Sequence, residues 1–247
     1  MKFVYRLTIE YNGKNFFGSQ RQGSLRTVEK ILYSTIKKIL KTDFEITLSS
    51  RTDRGVHSLG NVVRLRTNQQ LNRKTFLSQV NHFLPQDLKV KSVTKVPSGF
   101  NPRKDVKYKI YQYKIYNHKI PSVLLKDFVW NVSYDLDFKK MFEAKKILEG
   151  TKKFNFATTK EYTELGKSTV CNLKIRLKKV GNIIEIFFVG NRFLNKMVRN
   201  LVSLLVEVGR GKILLQDLKN IVKQWQYCKI YPAPANALTL VKILFHK

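Results

Sequence analysis

The hydrophobic and polar positions of the first hundred residues follow strand and helix periods in turn. Apolar and polar residues alternate from Phe3 to Ile9, which predicts a half-buried strand. Thr27 can cap a helix whose apolar stripe recurs every three or four residues through Leu40. The other elements predicted here are strands near 44–49, 60–67 and 88–95 and a helix near 73–83. This mixed order, without a long series of β-α-β units, indicates an α+β fold.

A similar order of elements follows a cluster of Gly, Asn, Pro and Arg at 98–103, the predicted joint between two halves. A hairpin is expected over residues 171–188, because two alternating runs flank Gly181-Asn182. Residues 193–208 have the pattern of an amphipathic helix. The remaining predictions are a Tyr-rich strand at 107–116, helices near 136–149 and 214–224, a mobile loop over 157–168 and a strand near 238–246.

The net charge of the chain indicates what kind of molecule it binds. The 247 residues include 47 Lys and Arg against 17 Asp and Glu, a formal net charge of +30. A folded chain this basic repels itself unless a polyanion shares its surface, so nucleic acid is the leading partner. A Lys-rich genome explains part of the excess. A membrane surface is the weaker alternative, because the chain has no isolated basic amphipathic segment.

Other features bear on compartment and cofactors. The N-terminus lacks the apolar core of a signal peptide, and no stretch is long enough to span a bilayer, so a cytoplasmic protein is expected. Cys171 and Cys228 form no CxxC pair and have no His at metal spacing. We therefore expect two reduced structural cysteines and no metal site.

A polar loop between two predicted strands holds the most suggestive side chain. Asp53 lies between Arg51 and Arg54, directly before Gly55. Two guanidinium groups beside one carboxylate favour its charged form, and an ionised Asp in a basic cleft could act as a nucleophile toward a sugar carbon of a polyanion. The simpler alternative, which these residues alone favour, is an Asp that caps a turn and pairs with an arginine.

Two further patterns have a functional and a structural interpretation. Tyr111 and Tyr113 share one face of a strand with interleaved lysines, which suits stacking of an unpaired base or, equally, the filling of a core. Arg192, Lys196 and Arg199 share the polar face of the predicted helix 193–208. They could contact phosphates, although an ordinary solvated helix face is the simpler interpretation.

Several segments, taken in order, resemble the TruA family of tRNA pseudouridine synthases. R-T-D-R-G-V-H (51–57) is similar to the central family motif G-R-T-D-A-G-V-H. Further similar blocks are Y-N-G-K-N-F-F-G-S-Q-R-Q (11–22), R-T-V-E (26–29), F-N-P-R (100–103), Y-Q-Y (111–113), F-L-N-K-M-V-R-N (193–200), V-G-R-G-K (208–212) and A-P-A-N-A-L-T-L (233–240). Each block alone is weak, but together they cover nearly the whole chain in family order.

The resemblance implies a cofactor-free isomerisation of uridine to pseudouridine, in the tRNA anticodon stem-loop at positions 38 to 40. It implies that Asp53 is the catalytic carboxylate and that Tyr111 stacks on the target base. Arg199 would pair with the aspartate, and Arg51 would help to extrude the nucleotide. We expect RNA phosphates to be contacted by Arg54, Arg103, Arg192 and Lys196. The resemblance also implies a homodimer, in which tRNA crosses both subunits.

Four positions depart from the family pattern. Ser19 stands in place of Trp, Ser50 in place of Gly, Arg54 in place of Ala, and Ala237 in place of Gly. None of them removes a catalytic group, but they leave the target open, so another RNA such as ribosomal RNA is an alternative substrate. A non-catalytic RNA-binding protein or chaperone on the same fold is a rival function, and so is a hydrolase that leaves an abasic site.

Together these observations predict an α+β protein of two similar halves, each an antiparallel sheet backed by helices, joined around a central basic cleft. Residues 1–105 form the half with the Asp53 loop. Residues 106–247 form the half with the Tyr-rich strand and the Arg199 helix.

Overall fold

The structure is a computed structural model that describes residues 2–166, 168–224 and 230–246. The predicted structural cysteine Cys228 lies outside these residues. The described strands are β1 (Phe3–Tyr11), β2 (Phe44–Leu48), β3 (His57–Thr67), β4 (Leu88–Lys95), β5 (Val106–Asn117), β6 (Trp130–Val132), β7 (Gly150–Lys153), β8 (Val170–Val180), β9 (Ile183–Gly190) and β10 (Leu238–Phe245). The α-helices are α1 (Val28–Ile39), α2 (Arg73–Phe83), α3 (Phe138–Leu148), α4 (Lys160–Glu164), α5 (Met197–Gly209) and α6 (Leu215–Gln224). The fold is therefore α+β, as predicted.

The chain forms two compact units, residues 1–107 with 239–247, and residues 108–238. The end of the chain belongs to the first unit because β10 pairs with β3 in parallel, with Thr239 opposite His57. The sequence-based division after residue 105 and the joining of the two halves around a basic cleft stay predictions.

In the first unit, β1 lies between β4 and β3 in antiparallel pairing, and β2 pairs with the C-terminal part of β3. One face of this sheet packs against α1 and α2 in a buried apolar cluster. The Thr27 side chain accepts a hydrogen bond from the Lys30 backbone N–H, which confirms the predicted cap of α1. Representative core residues are Leu7, Val63, Leu65, Leu32, Ile36, Phe76 and Val80.

In the second unit, the antiparallel order is β5-β9-β8-β7, and β6 pairs with β5 in parallel. Helix α3 contacts α5 and α6 and packs against β8. The hairpin turn is found at the predicted position, with Gly181 at a φ of 56°, a left-handed conformation that glycine adopts without strain.

Three details predicted for this unit differ from the structure. The predicted helix 193–208 begins only at Met197, because Lys196 has a φ of 56°, a left-handed conformation that cannot continue an α-helix toward the N-terminus. Arg192 therefore precedes α5 and does not share a helix face with Arg199. The polar face of α5 is also not an ordinary solvated face, since Arg199 is half-buried and Ser203, one turn further on, is buried and donates from its hydroxyl to the Tyr231 carbonyl at 2.7 Å. The predicted loop 157–168 contains the short helix α4.

No helix within the described ranges is long and apolar enough to cross a membrane.

Candidate active site

Asp53 lies on the loop that joins β2 to β3, and its side chain is half-buried. The loop begins where the Ser49 N–H donates to the Val62 carbonyl at 2.8 Å, and it closes in a turn where the Val56 N–H donates to the Asp53 carbonyl at 3.2 Å. Gly55, at a φ of 82°, allows this turn. The two paired strands therefore fix both ends of the loop that carries the carboxylate.

A buried polar network holds the loop from the side of β1 and β3. The Asn61 amide donates to the Ser50 carbonyl at 2.9 Å and to the Tyr11 hydroxyl at 3.2 Å, and its oxygen accepts from the Ser50 N–H at 3.3 Å. The Tyr11 hydroxyl lies 2.8 Å from the Thr52 hydroxyl. Burial raises the pKa of Tyr11, and its hydrogen bonds to Thr52, Asn61 and Ser58 oppose the rise. The phenol therefore stays protonated and can donate to Thr52.

Ser19, one of the four departures from the family pattern, forms a second set of hydrogen bonds to the loop. The Ser19 hydroxyl accepts from the Thr52 N–H at 2.8 Å, and the Ser19 N–H donates to the Thr52 carbonyl at 3.1 Å. The Ser19 carbonyl accepts from the Glu29 N–H in the first turn of α1 at 2.9 Å. Because the Ser19 side chain is fully buried, this departure acts on the loop backbone and not on the solvent-exposed surface.

Two glycines of the segment 11–22 allow that segment to approach the Asp53 loop closely. A Cβ atom on Gly13 would lie 2.1 Å from the Val56 carbonyl oxygen, which is too close for any side chain. Gly18 has a φ of 85°, and a Cβ atom there would lie 3.0 Å from the Thr52 carbonyl oxygen. The two glycines of Y-N-G-K-N-F-F-G are thus explained by their close packing against residues 52–56.

The arginines around Asp53 have different surroundings. Arg51 and Arg54 are both exposed. The Arg54 guanidinium carbon lies 4.3 Å from the centroid of the Phe17 ring, which is itself 37% exposed. The Arg103 Nε donates to the Leu48 carbonyl at 3.2 Å, at the end of β2 that leads into the loop. The predicted concentration of positive charge around this carboxylate stays a prediction.

In the second unit, Tyr111 lies on β5 and is 6% exposed. Its ring meets Phe193 edge to face, with centroids 4.9 Å apart. Tyr113, on the same strand face, donates from its hydroxyl to the Pro234 carbonyl at 2.9 Å. Burial raises the pKa of Tyr113, and the nearby Arg199 opposes the rise. The structural interpretation of these tyrosines is thus correct in that both rings are packed in the core.

Arg199 is half-buried in the first turn of α5, where its Nε donates to the Ala233 carbonyl at 2.6 Å. Arg192 donates from Nη2 to the Tyr162 hydroxyl at 2.7 Å, and Lys196 is exposed. Each unit thus holds part of the predicted site. Asp53, Arg51, Arg54 and Arg103 belong to the first unit, and Tyr111, Arg199, Arg192 and Lys196 belong to the second. Pairing of Arg199 with Asp53 stays a prediction.

Sequence reasoning missed Asn61, Tyr11 and Thr52 as supports of the loop. One signal was present, since Asn61 is a polar residue inside the buried run of β3. A buried amide must find hydrogen-bond partners, and here the loop backbone supplies them. Within the described ranges, no group of three or more His, Cys, Asp or Glu side chains is placed to hold a metal ion.

Comparisons with known proteins place the chain among its relatives. The sequence profile of the family described as tRNA pseudouridine synthase matches residues 7–105 and 144–246. A tRNA pseudouridine synthase A of Thermotoga petrophila is 34% identical over 239 residues, covering 96% of this chain and 97% of the relative. The protein of that name from Thermodesulfovibrio yellowstonii is 29% identical over 252 residues, covering 97% and 98%. A tRNA pseudouridine synthase A 2 of Clostridium tetani is 34% identical over 245 residues, covering 98% of each chain.

Proposed function

This chain belongs to the tRNA pseudouridine synthase family, and on that premise we propose that it isomerises uridine to pseudouridine in tRNA with Asp53 as the catalytic carboxylate. The observation that carries the proposal is a half-buried carboxylate on a loop whose backbone is held by buried hydrogen bonds. Ser50 and Thr52, close to Asp53 on the loop, are held by buried hydrogen bonds to Asn61 and Ser19. Precise placement of a reacting group is a large part of what an enzyme contributes to rate.

The reaction rearranges atoms within one nucleotide. The N1–C1′ bond of uridine breaks, the base turns, and a C5–C1′ bond forms, while N1 gains a proton and C5 loses one. Substrate and product are isomers, so no oxidant or reductant takes part. Asp53 either attacks C1′ or removes the proton from C2′, and both routes use an ionised carboxylate at the ribose. No cofactor enters either route.

The remaining residues act on the extruded nucleotide, because chemistry on a base requires its removal from the stack. We assign base stacking to Tyr111, whose ring is held by its contact with Phe193. Arg199 pairs with the catalytic carboxylate, and Arg51 helps to extrude the nucleotide. Phosphate contacts are assigned to Arg54, Arg103, Arg192 and Lys196.

The finer parts of the proposal concern target and assembly. The anticodon stem-loop at positions 38 to 40 is the proposed target, in the cytoplasm, and the enzyme acts as a homodimer. A pseudouridine map of cellular RNA with and without this protein tests the target. Loss of signal in ribosomal RNA instead of tRNA would select the alternative substrate. Sedimentation of the purified chain tests the dimer.

Tritium release from tRNA containing 5-³H-uridine tests the reaction. Asp53→Asn is expected to lower turnover at least about 100-fold, since it keeps shape but removes the charge that acts on the ribose. Asp43→Asn is the matched control, because Asp43 is an exposed carboxylate of the same unit that precedes β2. Its turnover should match that of the wild type.

The same assay separates the rival functions. Wild-type protein that binds tRNA but releases no tritium would be an RNA-binding protein or chaperone. Abasic sites in place of pseudouridine would show a hydrolase. Equal losses of folding stability and turnover in Asp53→Asn would mean that the aspartate is structural.

A further inference from the structure

Three arginines share the face of the first unit's sheet that points away from α1 and α2. Arg6 on β1 lies directly opposite Arg64 on β3, and Arg66 follows two residues later on the same strand. Side chains alternate between the faces of a strand, so these three lie on one face, while Leu7 and Leu65 fill the helix-covered core. Directly opposed residues have Cβ atoms about 5 Å apart, which brings the guanidinium groups within reach of one another.

The three arginines outnumber Glu45, the carboxylate that directly opposes one of them across the strands. Glu45 lies opposite Arg66 on β2, yet within the described residues no carboxylate forms an ion pair with any of the three arginines. The pKa of Arg64 is lowered by burial and then by the neighbouring Arg66 and by Arg103, with Glu45 opposing. Like charges this close destabilise the folded chain unless an anion joins them.

Two nitrogen atoms of the cluster are buried without an acceptor. The Nε atoms of Arg64 and Arg66 have no hydrogen-bond partner among the described residues. An unsatisfied buried donor costs about 1–3 kcal/mol, so folded proteins leave few of them. Arg64 is otherwise tied to the protein, since its Nη1 donates to the Phe100 carbonyl at 3.2 Å and its Nη2 donates to the Thr47 hydroxyl at 3.3 Å.

We propose that Arg6, Arg64 and Arg66 form a binding site for phosphate groups of the RNA backbone, here called the arginine face. A guanidinium group presents a planar fork of donors that matches phosphate oxygens, and phosphate supplies negative charge to Arg6 and Arg66, which are half-buried and so keep part of their surface exposed. The inference rests on the proposed function, because it takes the substrate to be RNA.

The position of the arginine face suits a strand of RNA that leads to the Asp53 loop. Arg64 lies opposite Thr47, and the loop begins at Ser49 two residues further along β2. At about 3.3 Å per residue, this separation is about 7 Å, and Arg66 lies about 7 Å beyond Arg64. Arg103, bonded to the Leu48 carbonyl, lies between the arginine face and the loop. The face therefore extends the basic surface of the first unit away from the Asp53 loop.

Charge-removing variants test this site. Arg66→Gln and Arg6→Gln are suitable, whereas a change at Arg64 would also release Phe100 and Thr47. Arg73→Gln is the matched control, because Arg73 is an exposed arginine at the start of α2, which packs on the opposite face of the sheet. The dissociation constant of unmodified substrate tRNA is measured for all four proteins between about 50 and about 200 mM salt.

Each arginine-face variant is expected to weaken tRNA binding on the order of fivefold at low salt, and the slope of log affinity against log salt should fall by about 0.7–0.9. Arg73→Gln should keep the wild-type slope. Slopes that are equal in Arg66→Gln, Arg6→Gln and Arg73→Gln would overturn the proposal, and so would a loss of affinity that does not change with salt.

The outcome is separable from the proposed function. Tritium release by the wild type reports the reaction, whereas the salt slopes report the arginine face. Wild-type release with unchanged slopes removes only the arginine face. Absence of release with altered slopes removes only the isomerase and leaves an RNA-binding face.

Discussion

Replacement of Tyr11 by Phe is the sharpest test of how the loop is held. The change removes one hydroxyl from a fully packed ring and leaves the shape of the core intact. That hydroxyl lies 2.8 Å from the Thr52 hydroxyl and accepts from the Asn61 amide at 3.2 Å. Thr52 directly precedes Asp53, and Asn61 is bonded to Ser50 in the same loop, so the loop should lose part of its fixed position.

The magnitude follows from the two hydrogen bonds. A typical buried hydrogen bond contributes about 0.5–1.5 kcal/mol, so Tyr11→Phe should lower the free energy of unfolding by about 1–3 kcal/mol. For a chain of this length, this corresponds to a fall in Tm of about 2–4 °C per kcal/mol. A misplaced catalytic group can cost up to about 100-fold in rate, so turnover should fall by at least about tenfold.

Tyr5→Phe separates stability from positioning. Tyr5 is also buried on β1, and its hydroxyl accepts from the Leu71 N–H at 2.8 Å, away from the Asp53 loop. Its loss should lower the free energy of unfolding by about 0.5–1.5 kcal/mol, since one hydrogen bond is removed. The assay is tritium release at saturating tRNA, well below the Tm of both variants, together with urea unfolding.

The expected pattern is a loss of stability in both variants and a loss of turnover only in Tyr11→Phe. If turnover is equal in the two variants, the Tyr11–Asn61 network does not position Asp53. If Tyr11→Phe is as stable as the wild type, the hydrogen bonds do not contribute as the structure indicates.

Two further predictions concern the loop surface and the buried thiol. Arg54→Ala should weaken tRNA binding and reduce the dependence of affinity on salt. Its stability should change little, because a cation stacked on the exposed Phe17 contributes only about 0.5–1 kcal/mol. Titration of tRNA at several salt concentrations measures the binding, and Arg54→Lys is the charge-preserving control. Burial raises the pKa of the Cys171 thiol from 9.0 to about 11, so between these values the unfolded chain loses a proton that the folded chain keeps. The contribution of this thiol to stability is therefore complete below pH 9 and declines as the pH rises toward 11. Urea unfolding across this range should show that the free energy of unfolding falls less steeply with pH in Cys171→Ala than in the wild type. Equal falls in the two proteins would contradict the raised pKa.

Much of the fold follows from local periodicity. The predicted helix at 73–83 and the predicted strand at 88–95 coincide with α2 and β4, because an amphipathic repeat shows which face of an element must be buried. The start of α5 was placed four residues early, because Leu194 fits the apolar stripe although Lys196 takes a left-handed conformation. Hydrophobic spacing contains no information on that backbone angle.

Local patterns were enough to assign the α+β class, most of the helices and strands, the family and the residues that its motifs mark, because each rests on a short segment of chain. How the Asp53 loop is held became visible only in the folded molecule. The Ser19–Thr52 and Tyr11–Asn61 hydrogen bonds join residues 33 and 50 positions apart. The register of β1 and β3 likewise placed Arg6 opposite Arg64. Contacts between distant segments leave no period in the sequence, since they depend on strand register and on where buried polar groups find partners.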